Sequence, residues 1–66
     1  MALLHYRLDC RSLSEGEFNS LHERLEHTFM YPDFLPDRQI EFYVEDFEDL
    51  SAYQIPEQCP LSLLHN

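Results

Sequence analysis

Residues 38–45 alternate between apolar and polar side chains, and this alternation constrains the fold more tightly than any other feature of the chain. Ile40, Phe42 and Val44 fall on one side, and polar or amphipathic residues fall between them. A period of two, rich in aromatic and β-branched residues, predicts a half-buried β-strand. The predicted strand leads directly into residues 45–49, which are four acids around one phenylalanine.

A second segment, residues 2–10, alternates in the same way. One side carries apolar residues and a thiol, namely Leu4, Tyr6, Leu8 and Cys10. The other side carries Leu3, His5, Arg7 and Asp9. This pattern predicts another half-buried strand.

Between the two strands, residues 14–31 predict one amphipathic helix. Ser14 followed by Glu17 is the pattern of a capping box, and Leu13 with Phe18 is the pattern of a hydrophobic staple. Apolar residues then recur at three- and four-residue steps, which gives a single apolar stripe. The members of this stripe are Phe18, Leu21, Leu25 and Phe29.

The remaining segments are less regular. Residues 31–37 contain two prolines and predict a loop. Residues 49–53 predict a helical turn capped by Asp49, and residues 61–64 predict either a third short strand or a final turn over the core.

The expected fold class is therefore α+β, in the order β-α-β plus an irregular tail. It consists of a small single-layer β-sheet, with two or three short strands, packed on one amphipathic helix. We expect residues 1–66 to form a single small acidic domain. A sheet this small makes a thin core, so pairing between the edges of two copies, and hence a homodimer, is a second expectation.

The charge balance limits the partners. The chain has a formal net charge of −9, with thirteen acids, four arginines and no lysine. Direct binding to nucleic acid or to an anionic membrane is disfavoured, because both need basic side chains. A basic protein partner is favoured, because complementary fields steer encounter. An alternative is that the acids only solvate the protein.

The sequence predicts a cytoplasmic protein without a membrane span. Residues 1–8 lack the charged start and long apolar run of a signal peptide, and no apolar segment approaches the ~20 residues of a span. Without an export signal, we expect Cys10 and Cys59 to be two reduced, partly buried thiols rather than a disulfide.

No motif predicts an enzyme, a cofactor or a metal. His22 and His27 in the segment HERLEH are five residues apart, about 140° around a helix, so they miss the i, i+4 zinc pattern. The more economical interpretation is a solvated helix face on which His22 lies near Glu26. Nothing in the spacing supplies either cysteine with a positioned base and an oxyanion site, and a phosphate-binding glycine loop is absent.

The acidic block predicts a partner-binding surface. Its candidate residues are Glu41, Tyr43, Glu45, Asp46, Phe47, Glu48 and Asp49. We expect the carboxylates to stay in water. Phe47 fits either an interface anchor or the core after a bulge. Tyr43 fits an interface or a cross-strand partner of His5 or Arg7, and Arg7 should pair with Glu41 or Glu45.

Three hypotheses follow. The first is a small non-enzymatic inhibitor or adaptor that binds a basic protein. Its narrowest form is a phage-type nucleic-acid mimic, acting in the host-cell cytoplasm, that blocks a nucleic-acid-handling enzyme or effector complex. The second is a structural or accessory subunit, or a homodimeric module, held by apolar edges. The third is an immunity or antitoxin protein bound to a basic toxin.

Overall fold

The structure, a computed structural model, describes residues 2–65, with only the backbone described at His65. The chain forms a four-stranded antiparallel sheet in the order β2-β3-β1-β4, together with one α-helix and one short 3₁₀ helix. In chain order the elements are β1 (Leu3–Asp9), α1 (Glu15–Glu26), β2 (Met30–Leu35), β3 (Gln39–Glu45), the 3₁₀ helix (Leu50–Tyr53) and β4 (Leu61–His65). The α+β class is confirmed, whereas the expected count of two or three strands is wrong.

β3 is an inner strand of the sheet, and its alternation works as the sequence predicts. Ile40, Phe42 and Val44 are buried in the core, whereas the residues between them are half-buried on the opposite face. Leu8 of β1 and Leu25 of α1 are fully buried in the same cluster. Burying apolar area of this kind supplies most of the stability of a small domain.

The helix begins where the capping box places it. The Ser14 side chain accepts from the Glu17 N–H at 3.2 Å, and the Glu17 side chain accepts from the Ser14 N–H at 2.9 Å. These two bonds satisfy donors that a helix start otherwise leaves open. The same contact with the Ser14 backbone lowers the pKa of Glu17 below its usual value.

The helix ends at Glu26 rather than at residue 31, so the predicted end is wrong. Phe29 lies in the turn that follows, where its ring stacks on Phe42 with centroids 3.7 Å apart. The chain then pairs Met30 with Tyr43. Tertiary packing of Phe29 and strand pairing therefore override a helical periodicity that counted Phe29 as a fourth stripe member.

The segment predicted as a loop over 31–37 is mostly strand β2, and this prediction is wrong. β2 is an edge strand, where a proline without an N–H is tolerated. A three-residue loop joins it to β3, and its residues Asp37 and Arg38 have φ of 63° and 57°. The Arg38 guanidinium donates to the Leu13 carbonyl, and the Arg38 carbonyl accepts from the Cys10 N–H at 2.9 Å. These contacts hold a non-glycine residue in the left-handed region.

Several contacts hold the tail in place. Asp49 caps the 3₁₀ helix by accepting from the Ser51 N–H at 3.0 Å, which confirms the predicted turn. The Arg24 guanidinium of α1 donates to the carbonyls of Tyr53 and Gln54 at 3.0 and 2.9 Å. Residues 61–65 then pair with β1, so the third-strand alternative is the one observed for the tail.

Candidate functional site

The sheet has a core face and an outer face, and the predicted site begins on the outer one. The outward residues of β3 are Gln39, Glu41, Tyr43 and Glu45, all half-buried. The antiparallel register sets His5 of β1 opposite Tyr43 and Arg7 opposite Glu41. Side chains from neighbouring strands on one face are close enough to pair, so this register decides which of the predicted site residues are already engaged.

Glu41 is engaged within the protein. Its Oε2 accepts from Arg7 Nε at 3.0 Å and from Nη2 at 2.6 Å, and its Oε1 lies 3.1 Å from His5 Nε2. The Arg7 guanidinium holds the pKa of Glu41 below its usual value, and its side chain is only 17% exposed. The predicted Arg7–Glu41 pair is confirmed, but the expectation that Glu41 stays in water is wrong.

Tyr43 takes part in a row of aromatic rings that crosses three strands. It stacks on His5 with centroids 4.4 Å apart and an interplanar angle of 8°. On its other side, Tyr31 of β2 meets it edge-on at 6.2 Å and 79°. Tyr31 is 70% exposed. The predicted cross-strand partnership of Tyr43 with His5 is therefore observed.

Tyr31 is a candidate site residue that the sequence analysis missed. It was assigned to a loop, whereas it lies in β2 with a φ of 52°. A left-handed backbone is uncommon for a bulky residue that precedes a proline. The one signal in the sequence is an aromatic side chain next to Pro32. Prolines are also typical of a solvated loop, so this signal does not distinguish a strand from a loop.

Beyond β3, residues 45–48 form a tight turn with Asp46 and Phe47 at its tip. The Glu48 N–H donates to the Glu45 carbonyl at 3.0 Å, which closes the turn. The Asp46 N–H donates to the Ala2 carbonyl at 3.2 Å, which fastens the turn to the start of β1. Asp46 is exposed, and Phe47 is 68% exposed. The core alternative for Phe47 is therefore wrong.

Glu45 departs from the expectation that all these carboxylates stay in water. Its Oε2 atom is buried and has no hydrogen-bond partner among the described residues. The residue as a whole is half-buried at the end of β3. A carboxylate oxygen removed from water without a donor costs free energy, so Glu45 is an exception to the expected solvation of the acidic block.

Glu48 and Asp49 have structural roles. Glu48 accepts from the Tyr53 hydroxyl, and the Tyr53 ring contacts Phe29 and Phe42 in the core. Burial, followed by this bond to Glu48, raises the pKa of Tyr53 to about 12. Asp49 caps the 3₁₀ helix, and its bond from the Ser51 N–H lowers its pKa. These two acids fix the turn rather than project from it.

The four arginines are all engaged internally. Arg7 pairs with Glu41, and Arg11 pairs with Asp9 at 2.7 Å. Arg24 and Arg38 donate to backbone carbonyls. Because the guanidinium groups are held this way, the exposed acid of the tip, Asp46, is not neutralised by a neighbouring arginine.

Among the side chains that the structure describes, the potential catalytic and metal-binding groups are not assembled into a reactive site. Burial, reinforced by the neighbouring Cys59, raises the pKa of Cys10 to about 12, and burial also raises the pKa of Cys59. Both thiols are free and buried, so neither is an activated nucleophile. His22 lies 3.5 Å from Glu26, as the helix spacing predicts, and its ring packs on Phe34. Within residues 2–65, no three potential ligands come together around a possible metal position.

Comparison with known proteins adds no relatives. The chain matches no protein-family model, no curated protein and no solved structure. Across residues 2–65, the helices are too short or too polar to cross a membrane. The candidate site therefore rests on its geometry, in which Asp46 and Phe47 form the exposed tip and Tyr43 and Tyr31 form the aromatic row beside it.

Proposed function

We propose that this protein is a small acidic, non-enzymatic inhibitor or adaptor that docks on a basic protein surface through the turn at residues 45–48. The observation that carries the proposal is the exposure of Phe47 at the tip of that turn, flanked by Asp46 and Glu48. A large apolar side chain fixed in this position gains free energy when a partner covers it.

The contacts that fix the conformation of the turn at residues 45–48 support this role. The turn is closed by its own backbone bond, fastened to Ala2, and braced by the Glu48–Tyr53 contact. A contact residue held in one conformation loses little conformational entropy on binding. Aromatic anchors surrounded by polar residues are typical of the energetically dominant part of a protein–protein interface.

Charge supports a basic partner. The net charge is −9, and the arginines are occupied by internal contacts. An acidic field of this kind speeds encounter with a positive surface and disfavours negative ones. Because Glu41 is neutralised by Arg7, the available charge lies at the tip rather than along β3. We accordingly place the contact at residues 45–47, with Tyr43 and Tyr31 at its side.

The test is a comparison of variants in affinity capture from cells that encode the protein, with bound proteins quantified by mass spectrometry. Phe47→Ala and Asp46→Asn should each lose the same captured protein. Glu23→Gln is the control, because it changes the net charge as Asp46→Asn does but lies on the exposed side of α1. A partner retained equally by all the variants contradicts the proposal.

Salt provides a second arm of this experiment. Capture should weaken as ionic strength rises from about 0.05 to about 0.5 M, because attraction between exposed charges is screened over a Debye length. The captured protein should also be basic. Binding that is indifferent to salt, or a captured protein that is acidic, would count against the electrostatic mechanism even if Phe47 mattered.

The narrower, nucleic-acid-mimic form of the proposal has its own test. If the captured protein handles nucleic acid, duplex DNA and this protein should compete for it, and Asp46→Asn should compete less well. A ternary complex with DNA would exclude mimicry while leaving the inhibitor or adaptor role intact. An immunity or antitoxin role would use the same surface. Capture of a toxin as the partner would indicate that role. The proposed compartment is the cytoplasm, in line with two buried thiols that form no disulfide.

A further inference from the structure

The two edges of the sheet differ in how they are protected. β2 and β4 each have a strand neighbour on one side only. An edge strand leaves a row of backbone N–H and C=O groups able to pair with another strand. In natural proteins, proline, charge or a bulge usually prevents such pairing at an edge strand.

The β2 edge has all three protective features: a proline, a charge and a bulge. Pro32 has no N–H to donate, and Asp33 is an exposed charge in the middle of the strand. The register with β3 shifts between Met30 and Asp33, which marks an irregularity of the bulge type. A second strand cannot extend a regular ladder along this edge.

The β4 edge carries neither proline nor charge. Its sequence is LSLLH, and the nearest charged residue before it is Glu57. Leu63 is 51% exposed and Leu64 is 37% exposed. A register shift occurs between β4 and β1 at His5/Tyr6, which leaves the pairing from Leu61 to Leu63 regular. The part of the edge that is regular is therefore also apolar.

The hydrogen-bond pattern shows which groups of β4 point outward. Asp9 N–H donates to the Pro60 carbonyl at 2.9 Å, so Asp9 and Pro60 are a hydrogen-bonded pair. Such pairs alternate along an antiparallel ladder, and the register places Ser62 opposite Arg7 as the next one. The N–H and C=O groups of Leu61 and Leu63 consequently point away from β1, towards the open edge.

We propose that the β4 edge binds the β4 edge of a second copy of this chain, which joins the two four-stranded sheets into one continuous antiparallel sheet across a two-fold axis. With the axis at Leu63, its outward N–H donates to the carbonyl of the partner's Leu63, and its outward carbonyl accepts from the N–H of the partner's Leu63. The two leucine side chains then cover each other. An isologous contact of this kind closes on itself and does not propagate.

The lack of charge on the β4 edge favours a second copy of the chain over a basic protein as the occupant. A basic partner is drawn towards the acids, whereas residues 58–65 carry no Asp, Glu, Lys or Arg. Two chains of charge −9 repel each other over most of their surfaces, and the uncharged β4 edge is a place where they can approach closely. The acidic tip at Asp46 and Phe47 belongs to the opposite flank of β1, where β3 pairs, so the dimer does not depend on the proposed function.

The test is the molar mass in solution, measured by analytical ultracentrifugation over a range of protein concentrations and at two salt concentrations. We expect reversible association to twice the 8.0 kDa chain mass. Dimerisation should strengthen with salt, because screening reduces repulsion between like-charged copies. Binding to a basic partner should weaken under the same change, so the two interactions have opposite salt dependence and can fail separately.

Leu63→Lys should abolish the dimer, because it sets two like charges opposite each other at the axis. Leu3→Lys is the matched control: Leu3 is an exposed leucine of β1 that pairs with Glu45 of β3 rather than with β4, and this variant should still dimerise. Leu63→Pro removes the outward N–H while sparing the bonds of Ser62 to β1, and it should also be monomeric. Circular dichroism of each variant checks that the sheet is retained.

Two results would overturn the inference. One is a wild-type protein that stays monomeric at every concentration at high salt. The other is a dimer that folded Leu63→Lys and Leu63→Pro variants form as well as the wild type does. Slow hydrogen exchange at the Leu61 and Leu63 amides, present in the dimer and lost on dilution, would place the contact on β4 directly.

Discussion

The Tyr53 hydroxyl donates a 2.5 Å hydrogen bond to Glu48, while the ring of the same residue lies edge-on to Phe29 in the core at 5.3 Å. One side chain therefore connects the acidic turn to the interior of the protein. The exposed tip at Asp46 and Phe47 depends on this connection, because Glu48 also supplies the N–H that closes the turn.

Tyr53→Phe should destabilise the protein by about 1–2 kcal/mol, because it removes a hydrogen bond to a carboxylate while keeping the ring. The measurement is the free energy of unfolding in urea. Tyr31→Phe is the control, because Tyr31 is 70% exposed and its change should fall within about 0.5 kcal/mol. Equal effects of the two substitutions would show that the Glu48 bond contributes little.

The same pair gives a prediction at high pH. The pKa of Tyr53 is raised to about 12 from its ordinary value near 10. A raised pKa means that folding favours the neutral phenol, so this stabilisation is complete below about pH 10 and is lost as the pH rises through 12. In an ultraviolet titration, Tyr53 should ionise near pH 12, and Tyr53→Phe should remove that step.

Local sequence patterns predicted the elements whose determinants are themselves local. The Ser14–Glu17 capping box needs only residues within one helical turn, and its two bonds are present. The alternation of Ile40, Phe42 and Val44 needs only one buried face. In both cases the residue types and their spacing contain the physical cause, so the sequence is enough.

The features that the sequence does not predict depend on partners outside their own segment. The sequence of β2 is typical of a loop, because Pro32 and Asp33 disfavour a strand. The segment forms a strand because β3 supplies backbone groups that pair with it. The roles of the acids likewise depend on partners: Glu41 is neutralised by Arg7, 34 residues away, and Glu48 is held by Tyr53. A charge count could not separate these acids from Asp46, which is exposed at the tip.

Ser14→Ala should destabilise the protein by about 1 kcal/mol, because the Glu17 N–H at the start of α1 loses its acceptor. Ser20→Ala is the matched control, because Ser20 is an exposed residue inside α1, where alanine has the higher helix propensity. The two substitutions should shift the urea midpoint in opposite directions. A shift of the same sign and size would mean that the cap does not contribute to stability.

Glu41→Gln should alter the pH dependence of stability. Arg7 holds the pKa of Glu41 below its usual value, so folding favours the ionised carboxylate. That contribution is present above the unfolded pKa, near 4.5, and is lost as the pH falls through the lower folded value. The pair is partly exposed, so the loss at neutral pH should be under about 1 kcal/mol. The difference between wild type and Glu41→Gln should shrink between about pH 6 and pH 3.

Asp46→Asn is the control for this titration, because its carboxylate is exposed at the tip of the turn. The difference in unfolding free energy between Asp46→Asn and the wild type should change with pH only because protonation of the acids reduces the general charge repulsion. Urea denaturation at several pH values separates the two behaviours. A gap between wild type and Glu41→Gln that stayed constant down to pH 3 would contradict a role for the ionised pair.

The buried thiols should react only when the protein opens. Cys10 is fully buried and its pKa is raised to about 12, chiefly by burial, so the reactive thiolate is scarce near neutral pH. Labelling with a thiol-specific disulfide reagent at about pH 8 should be slow in the native protein and fast in urea. The logarithm of the native rate should rise in Ser14→Ala and Tyr53→Phe in proportion to their loss of stability, because reaction follows the population of open molecules. Rapid labelling of the native wild type, indifferent to these substitutions, would place a thiol at the surface and contradict the packing of Cys10 and Cys59 in the core.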